Sequence, residues 1–248
     1  MTTPLELFVL EWGVYPRRVT IYLSEKGLLH SKNIKITPYS TTAEGKIDAP
    51  GKPPGSLPIL VFPDGKSITQ SLAVIQYFED ITDNPQETWQ TELKEMAAIS
   101  SGNSRSMRGR SGDNMDKARV REMLALADEV TSLACFACHK GSKLFETLEP
   151  TNGEGARLAL EYCGRNLGLL DRYYGDFEER MANDSGPNIV DCVLFSILQY
   201  MKELFGKDLT HGRSNLARFY DIFKERESAK IPGEFYPGFV AELCPQWL

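Results

Sequence analysis

The sequence predicts an α/β domain with the element order βαβ-ββα at its N-terminus, followed by an all-helical domain. Within residues 1–82, four short apolar runs alternate with two stretches of helical periodicity, and the last two runs are separated only by a turn. Residues 83–88 contain an Asp-Asn-Pro run that is typical of a short linker. In residues 89–248, apolar residues recur at helical spacing, interrupted by a Gly/Ser/Arg-rich insertion at about 100–114.

Composition and charge limit the possible functions. The chain has 248 residues and a formal net charge of −6, which disfavours a general role in binding nucleic acid or anionic membranes. No uninterrupted apolar stretch approaches the ~20 residues that a membrane-spanning helix needs. The first residues lack the basic segment of a secretory signal, and five cysteines, an odd number, favour reduced thiols. We therefore expect a cytoplasmic protein.

The βαβ half follows from the apolar pattern and from residues that begin and end helices. The apolar run Leu5–Leu10 predicts a buried strand, and residues 34–38 predict a second one. Residues 17–26, between these strands, have helical periodicity. Pro16 suits the first turn of this helix because its missing N–H has no partner within the helix there. Gly27 suits the end of the helix.

The ββα half lies in residues 56–80. Residues 59–62 and 66–69 predict two short strands, and Pro63-Asp64-Gly65 between them supplies the residues of a tight turn. After Ser71, apolar and polar side chains alternate at helical spacing. Ser71 therefore lies where a strand gives way to a helix. A helix N-terminus attracts an anionic group, so we expect an anion-binding site at this position.

Two segments together resemble the glutathione transferase family. One is Ser56–Asp80, with its Leu-Pro step, its hairpin and its Gln-Ser pair at a helix start; the other is Gly13-Val14-Tyr15-Pro16-Arg17-Arg18-Val19. The second segment is similar to the Gly-x-Tyr-Pro-x-Arg-Val pattern of yeast and fungal transferases, which lack the usual catalytic serine or cysteine. The resemblance covers residues 1–80 strongly and residues 116–230 loosely. It implies a thioredoxin-like N-terminal domain that binds glutathione.

The resemblance implies how the peptide is held. With Leu57–Pro58 in the cis form, the main chain of Leu57 would pair with the backbone of glutathione as a strand edge does. Gln70 and Ser71 would meet its γ-glutamyl carboxylate. The residues alone leave two alternatives open: a trans Pro58 that only begins a strand, and a Ser71 that only caps the helix.

Further glutathione contacts are implied near this groove. Lys52 and Ser56 lie where relatives contact the glycyl or cysteinyl end of the peptide, and residues 41–55 fit the irregular segment that covers it. The residues implied in glutathione binding are therefore Arg17, Lys52, Ser56, Leu57, Pro58, Gln70 and Ser71.

Gly13 is a departure that bears on catalysis. In many relatives a serine or cysteine at the matching position holds the sulfur of glutathione, and neither stands near Gly13 here. Tyr15 is the nearest hydroxyl, one residue before the predicted helix, and Arg17 is the nearest cation. Tyr15 and Gly13 are therefore the candidate catalytic positions. The alternatives are a main-chain N–H or an ordered water near Gly13, with Tyr15 packed elsewhere and Arg17 in a surface ion pair.

The energy needed to form a thiolate indicates how many groups are required. Lowering the pKa of a thiol from ~8.5 by about two units takes roughly 2.7 kcal/mol. A helix N-terminus supplies ~0.3–1 kcal/mol, and up to ~2 kcal/mol when partly buried. A hydrogen bond to a charged group adds roughly 1.5–3 kcal/mol. A helix start alone is therefore marginal, whereas a helix start with one donor suffices.

The second half of the chain predicts four helices, at residues 116–138, 153–175, 192–204 and 213–227. Asn188 followed by Asp191 predicts a capping box, a stability element that resembles the Ser/Thr-x-x-Asp box of the family. The tail, residues 232–248, is expected to be loop-like and to fold back over the protein. In the insertion at 100–114, three arginines suit either a carboxylated substrate or, as we favour, a solvated loop or subunit interface: Arg105, Arg108 and Arg110.

The segment Cys135-x-x-Cys138-His139 has the spacing of known haem, metal and redox motifs, but its position in the sequence does not favour any of them. The spacing matches covalent haem attachment, but we expect no export signal, which such a protein would need. A zinc site would need a fourth ligand that the sequence does not mark, and a thioredoxin-type pair would have to open the first helix. We expect the cysteines to pack as small apolar residues, and we expect no metal.

The resemblance implies a glutathione transferase in which the thiolate attacks a hydrophobic electrophile, in detoxification or in small-molecule biosynthesis. Glutathione is then the co-substrate, and the family favours a homodimer, with neither nucleic acid nor membrane as a partner. One alternative is a non-catalytic regulatory or scaffold protein with the same fold, which the departure at Gly13 motivates. Another is a glutathione-dependent lyase or isomerase.

Overall fold

The computed structural model describes residues 4–41, 47–48, 51–101, 106–109, 113–182, 186–233 and 235–248. The chain forms two units, residues 1–113 and residues 114–248. The helix that follows the predicted linker, at residues 88–101, lies in the first unit of this division. A linker at 83–88 as the boundary between domains stays a prediction.

A four-stranded mixed sheet is the centre of the first unit. The bounds of the strands are Leu5–Val9 (β1), Ile34–Pro38 (β2), Ser40–Thr41 (β3), Ile47–Asp48 (β4), Ile59–Val61 (β5) and Ser67–Ile68 (β6). The sheet has the order β2-β1-β5-β6, in which β1 is parallel to β2 and antiparallel to β5. Strands β3 and β4 form a separate antiparallel pair that the sequence pattern did not predict. The thioredoxin-like βαβ-ββα order is confirmed.

Three helices accompany the sheet: α1 (Val14–Glu25), α2 (Ser71–Asp83) and α3 (Thr88–Ser101). Helix α1 begins three residues earlier than predicted, because Gly13, with φ −76° and ψ 135°, already serves as the N-cap. Pro16 is therefore the third helical residue, where an N–H would also lack a partner within the helix. The prediction that Tyr15 precedes the helix is wrong, since Tyr15 is its second residue.

A buried ion pair joins α1 to α2. The carboxylate of Glu79, whose side chain is fully buried, lies 2.9 Å from the ammonium of Lys26, whose side chain is 1 % exposed. The hydroxyl of Tyr22 donates to the same carboxylate at 2.7 Å. Burying two charges is favourable only when their remaining hydrogen bonds are made, and Glu79 meets this condition.

Part of the predicted insertion completes this cluster. The hydroxyl of Ser106 and the main-chain N–H of Met107 donate to Glu79 at 3.0 and 2.7 Å, and the Met107 side chain is buried. The guanidinium of Arg108 pairs with Asp80 at 2.6 Å and with Asp83 at 2.7 Å. The expectation of a solvated loop is wrong for residues 106–109, which dock on α2. Arg105 and Arg110 lie outside the described residues.

Helices make up the second unit. Their bounds are Asn114–Gly141 (α4), Gly153–Tyr173 (α5), Phe177–Ala182 (α6), Ile189–Gln199 (α7), Ser214–Phe223 (α8) and Gly238–Leu243 (α9). Helix α4 packs along α5 and α7. All eleven residues of α7 are buried, as a helix that is apolar on every side requires. A π-helical turn, Tyr200–Leu204, continues α7. None of the described helices combines the length and apolar character needed to cross a membrane.

The predicted capping box at α7 is confirmed. The side chain of Asn188 accepts from the N–H of Asp191, and the carboxylate of Asp191 accepts from the N–H of Asn188. Both terminal nitrogens of Arg180 donate to this carboxylate at 2.8 Å, and the Tyr174 hydroxyl donates at 2.7 Å. The buried Asp191 is therefore fully satisfied, and the box joins α7 to α6 and to the end of α5.

The C-terminal tail is more ordered than predicted. It contains α9, and its last residues lie along the end of α4, where the N–H of Leu248 donates to Gly141 and the N–H of Lys143 donates to Gln246, both at 2.8 Å. The indole N–H of Trp247 donates to the carbonyl of Phe205 at 2.9 Å. The tail folds back, as expected, but as a hydrogen-bonded element rather than a loop.

Candidate functional site

The Leu57–Pro58 peptide bond is cis, which confirms the prediction and removes the trans alternative. Pro58 is buried at the start of β5, and the side chain of Leu57 is partly buried against Phe8 and Ile59. Neither the N–H nor the carbonyl of Leu57 is hydrogen bonded to any residue that the structure describes. The segment before β5 therefore presents an unpaired peptide group, which an extended peptide can recognise.

The start of α2 is an open helix N-terminus. Gln70, in extended backbone, is the N-cap, and its exposed side chain makes no capping hydrogen bond. The N–H groups of Ser71, Leu72 and Ala73 donate to no acceptor within the described residues. Three unsatisfied donors and the positive end of the helix dipole together favour an anionic group.

Arg18 holds the hydroxyl of Ser71. The Nε–H of Arg18 donates to Ser71 Oγ at 2.7 Å, and both residues are 2 % exposed. Because the oxygen accepts from Arg18, its own proton is directed to another acceptor. The alternative that Ser71 is only a helix cap is wrong, since Gln70 occupies the cap position and Ser71 is the first helical residue.

The start of α1 is linked to the same cluster. The guanidinium of Arg18 lies over the ring of Tyr15, 4.8 Å from its centroid. The N–H of Val14, the first residue of α1, donates to no described acceptor, whereas the N–H of Gly13 is used in a turn with Leu10 at 2.9 Å. Helix α1 thus offers a main-chain donor at its first residue and a phenol at its second.

The backbone does not require a glycine at position 13. Its φ of −76° is open to any residue. A Cβ there would lie 3.3 Å from the carbonyl oxygen of Leu10, a close contact, and 3.4 Å from Cδ of Pro16. The φ angle alone would allow a serine or cysteine here, but its Cβ would crowd the main chain at Leu10, and glycine avoids this contact.

The remaining predicted residues lie in two places. The ammonium of Lys52 donates to the carbonyls of Pro53 and Gly55 at 2.9 and 2.8 Å. It therefore braces the loop before β5. Ser56 in this loop is exposed, and Arg17 is partly buried on α1. The structure brings Tyr15 and Ser71 together through Arg18, which sequence reasoning passed over in favour of Arg17.

A spacing of four residues could have identified Arg18. Val14, Arg18 and Tyr22 lie on one stripe of α1, which Lys26, the C-cap residue of the helix, continues, and all four are buried. The two apolar members mark the stripe as the inner face, so the two cations on it need partners. Helix α2 supplies them: Arg18 meets Ser71, and Lys26 meets Glu79, eight residues further along that helix.

Four of the five cysteines are buried, as predicted for small apolar residues. None of the five forms a disulfide, and all but Cys135 are buried. Burial raises the pKa of Cys163 and of Cys244 to about 12 and raises that of Cys138 as well. His139 stacks on Phe145 and pairs with Glu149, so it is used elsewhere. Among the described residues, no group of histidine, cysteine and carboxylate side chains is arranged to hold a metal.

Comparisons with known proteins agree with the fold. Residues 12–81 match the family described as glutathione S-transferase, N-terminal domain. A glutathione transferase family member from Pseudomonas fluorescens, solved with bound glutathione, has a TM-score of 0.65 at 18 % identity, with 91 % of this chain and 96 % of that chain covered. A glutathione S-transferase from Methylobacillus flagellatus, also with glutathione bound, gives 0.60 at 20 % identity and the same coverage.

A yeast protein is among the similar structures. Gtt2 from Saccharomyces cerevisiae has a TM-score of 0.59 at 14 % identity, with 90 % of this chain and 98 % of that chain covered. No curated protein matches the sequence. At these identities the solved structures establish the fold only, so the finer likeness to yeast-type transferases stays a prediction.

The class of protein follows from the fold: a thioredoxin-like domain with a mixed four-stranded sheet, followed by a helical region. Residues 12–81 match a glutathione S-transferase N-terminal domain, which confirms the family resemblance recognised from the sequence for this part of the chain. For the rest of the chain, the similar structures support the fold.

Proposed function

We propose that the protein binds glutathione along the Leu57 edge and at the start of α2, and that it is a glutathione transferase. The observation that carries the proposal is the pairing of two unfilled elements in one unit: an unpaired peptide group at Leu57 and an uncapped helix start at Ser71. A peptide that ends in an α-amino acid needs both, because its backbone pairs with an edge and its carboxylate needs donors.

The γ-glutamyl carboxylate is the group that the start of α2 suits. It would accept from the N–H groups at the helix start and from the Ser71 hydroxyl, whose oxygen Arg18 already holds. Gln70 would donate from its exposed amide. At the other end of the peptide, the ammonium of Lys52 and the hydroxyl of Ser56 would meet the glycyl carboxylate, with one proton of Lys52 left after its two loop carbonyls.

The thiol would lie at the start of α1. The N–H of Val14, together with the helix dipole, supplies the helix end and one donor that a shift of about two pKa units requires. Tyr15 would add its hydroxyl as a second donor, and Arg17 would add positive charge nearby. With Gly13 in place of a side-chain donor, main-chain groups do most of this work. The thiolate then attacks a hydrophobic electrophile.

Calorimetric titration with glutathione tests the binding site. Ser71→Ala removes one hydrogen bond to a carboxylate, worth roughly 1.5–3 kcal/mol, so we expect at least about tenfold weaker binding. Ser67→Ala, which changes an exposed serine of β6, is the matched control and is expected to bind as the wild type does. Equal affinity in the wild type and Ser71→Ala would contradict the proposed site.

A non-catalytic regulatory or scaffold protein is the second candidate, and Gly13 favours it because no side-chain donor stands at that position. Turnover of an aryl chloride and of several other electrophiles separates the two functions. Glutathione binding without turnover of any electrophile supports the scaffold. A glutathione-dependent lyase or isomerase would use the same thiolate and would be identified by its products.

The remaining parts of the proposal concern biological context. We place the protein in the cytoplasm as a homodimer that acts in detoxification or in small-molecule biosynthesis. Chromatographic mass measurement tests the dimer, and a metabolite screen for glutathione conjugates tests the substrate.

A further inference from the structure

A cavity in the first unit has the character of an organic-cation site. Its volume is about 360 Å³, at the small end of the range for ligand pockets. It is bounded by the start of β1, the turn between β5 and β6, the middle of α2 and the start of α3. We call it the aromatic cavity, because three aromatic rings line it: Phe62, Tyr77 and Trp89. Two carboxylates also line it, those of Asp64 and Glu87.

The three rings come from separate elements. Phe62 and Tyr77 form an edge-to-face pair with centroids 5.0 Å apart and an interplanar angle of 86°. The planes of the two rings are therefore nearly perpendicular. Trp89 belongs to the first turn of α3, and its indole N–H donates to a carboxylate oxygen of Glu87 at 2.9 Å. This hydrogen bond fixes the carboxylate beside the indole.

The charge in the cavity is negative. Asp64 pairs with Lys66 of its own hairpin at 2.7 Å, whereas no lysine or arginine among the described residues pairs with Glu87. Burial, and after it the charge of Glu87, raise the pKa of the Tyr77 phenol, which keeps that ring neutral. Among the described residues that line the cavity, none has a cationic side chain.

Cations lie over other aromatic rings of the described chain, but not over these three. Arginine or lysine side chains lie over the rings of Tyr15, Tyr39, Tyr162, Tyr173 and Trp247. No described arginine or lysine lies over Phe62, Tyr77 or Trp89. The faces of aromatic rings attract cations, and the carboxylate of Glu87 beside them has no cationic partner among the described residues. This cluster therefore has an electrostatic preference for a cation that no described side chain satisfies.

We propose that the aromatic cavity binds a small quaternary ammonium compound, with the ammonium head among Phe62, Tyr77 and Trp89 and near the carboxylate of Glu87. A primary ammonium needs three hydrogen-bond acceptors, which rings do not provide, whereas a methylated ammonium donates none and suits ring faces. A neutral apolar ligand would gain nothing from Glu87. The site is independent of glutathione.

The test is a titration of the full chain with choline, in which the NMR signal of the Trp89 indole N–H is monitored. The Trp89→Phe variant assigns this signal. We expect a saturable shift with choline and at least about tenfold weaker binding of its neutral carbon isostere, dimethylbutanol, since a cation–π contact is worth about that factor. Equal binding of choline and the isostere, or no saturable shift with choline, would overturn the proposal.

Variants locate the site. Trp89→Leu is expected to weaken choline binding about tenfold, measured by calorimetry, and Glu87→Gln about threefold or more. Glu95→Gln, which changes an exposed glutamate within α3, is the matched control and should bind as the wild type does. If Trp89→Leu fails to fold, Glu87→Gln decides: unchanged affinity in that variant would contradict a site built around this carboxylate.

The source of the ammonium head is tested separately. Sedimentation with phosphatidylcholine vesicles distinguishes a lipid head group from a free metabolite. We expect no sedimentation. Sedimentation without binding of free choline would overturn the assignment to a small molecule.

Discussion

Replacing Glu79 by glutamine is expected to destabilise the first unit severely. The substitution keeps the size of the side chain but leaves the ammonium of Lys26, 1 % exposed, without its counter-charge at 2.9 Å. The amide oxygen of the glutamine can still accept from Tyr22 or from Met107. The NH₂ group, which replaces the other carboxylate oxygen, cannot accept a hydrogen bond, so the donor on that side loses its acceptor. Breaking one partner of a buried ion pair costs ~3–5 kcal/mol, so we expect a loss of that size in the free energy of unfolding.

Urea unfolding followed by circular dichroism measures this loss, and hydrogen exchange localises it to α1 and α2. Glu92→Gln is the matched control, because Glu92 pairs with Lys32 at 3.1 Å while both side chains are largely exposed, 43 % and 78 %. A surface pair of this kind contributes under ~1 kcal/mol. Adding Lys26→Met to Glu79→Gln removes the charge that Glu79 balances in the wild type, so the double variant should be more stable than Glu79→Gln alone. A loss below about 1 kcal/mol in Glu79→Gln would refute this reasoning.

Three further predictions concern the second unit. An alanine Cβ at Gly141 would lie 2.7 Å from Ala156 and from the ring of Trp247, so Gly141→Ala should lower the free energy of unfolding by about 1–3 kcal/mol. Gly168 in α5 has open space around it, so Gly168→Ala should raise the free energy of unfolding by about 0.5–1 kcal/mol. Equal effects of the two variants in urea unfolding would contradict the packing described for Gly141. Asn188→Ala should cost about 1 kcal/mol through loss of the cap, and Asn152→Ala, which removes the cap of α5, is its comparison. Burial raises the pKa of Cys163 and of Cys244 from 9.0 to about 12, so the folded state keeps protons that the unfolded state loses, and stability should fall as the pH rises from 9 toward 12. Alkylation below pH 9 should modify Cys135 first, because it is the least buried of the five cysteines. Equal rates at all five cysteines would contradict this.

Local patterns predicted the elements that depend on neighbours in sequence. The alternation of short apolar runs with turn residues gave the βαβ-ββα order, and the Asn-x-x-Asp spacing gave the capping box at α7. Both depend on interactions within a few residues, which the sequence displays directly. The turn at residues 63–65 has the same origin.

Long-range partners were not predictable in the same way. Arg17 and Arg18 are adjacent and chemically alike, and only the phase of the helix decides which of them faces inward. The inner face of α1 contacts α2, which is distant in sequence: Arg18 and its partner Ser71 are 53 residues apart. The docking of residues 106–109 on Glu79 is a contact of the same kind, because a Gly/Ser/Arg-rich composition predicts exposure and carries no sign of a buried acceptor elsewhere.

The start of α1 shows a third limit. A Gly-Val-Tyr-Pro run is typical of a loop that leads into a helix, so the predicted helix began after the proline. In the structure Gly13 caps the helix with an extended backbone, and Pro16 occupies a position whose N–H would in any case be unused. This shift places Tyr15 in the first turn, beside Arg18.

The pKa of the glutathione thiol in the complex tests the central proposal most directly. Titration of thiolate absorbance in wild-type protein saturated with glutathione should give a value about two units below the ~8.5 of the free thiol. Tyr15→Phe should return part of that shift, with the main-chain donor at Val14 retaining the rest. A bound thiol that ionises as free glutathione does would contradict the account, and an unchanged shift in Tyr15→Phe would remove Tyr15 from it.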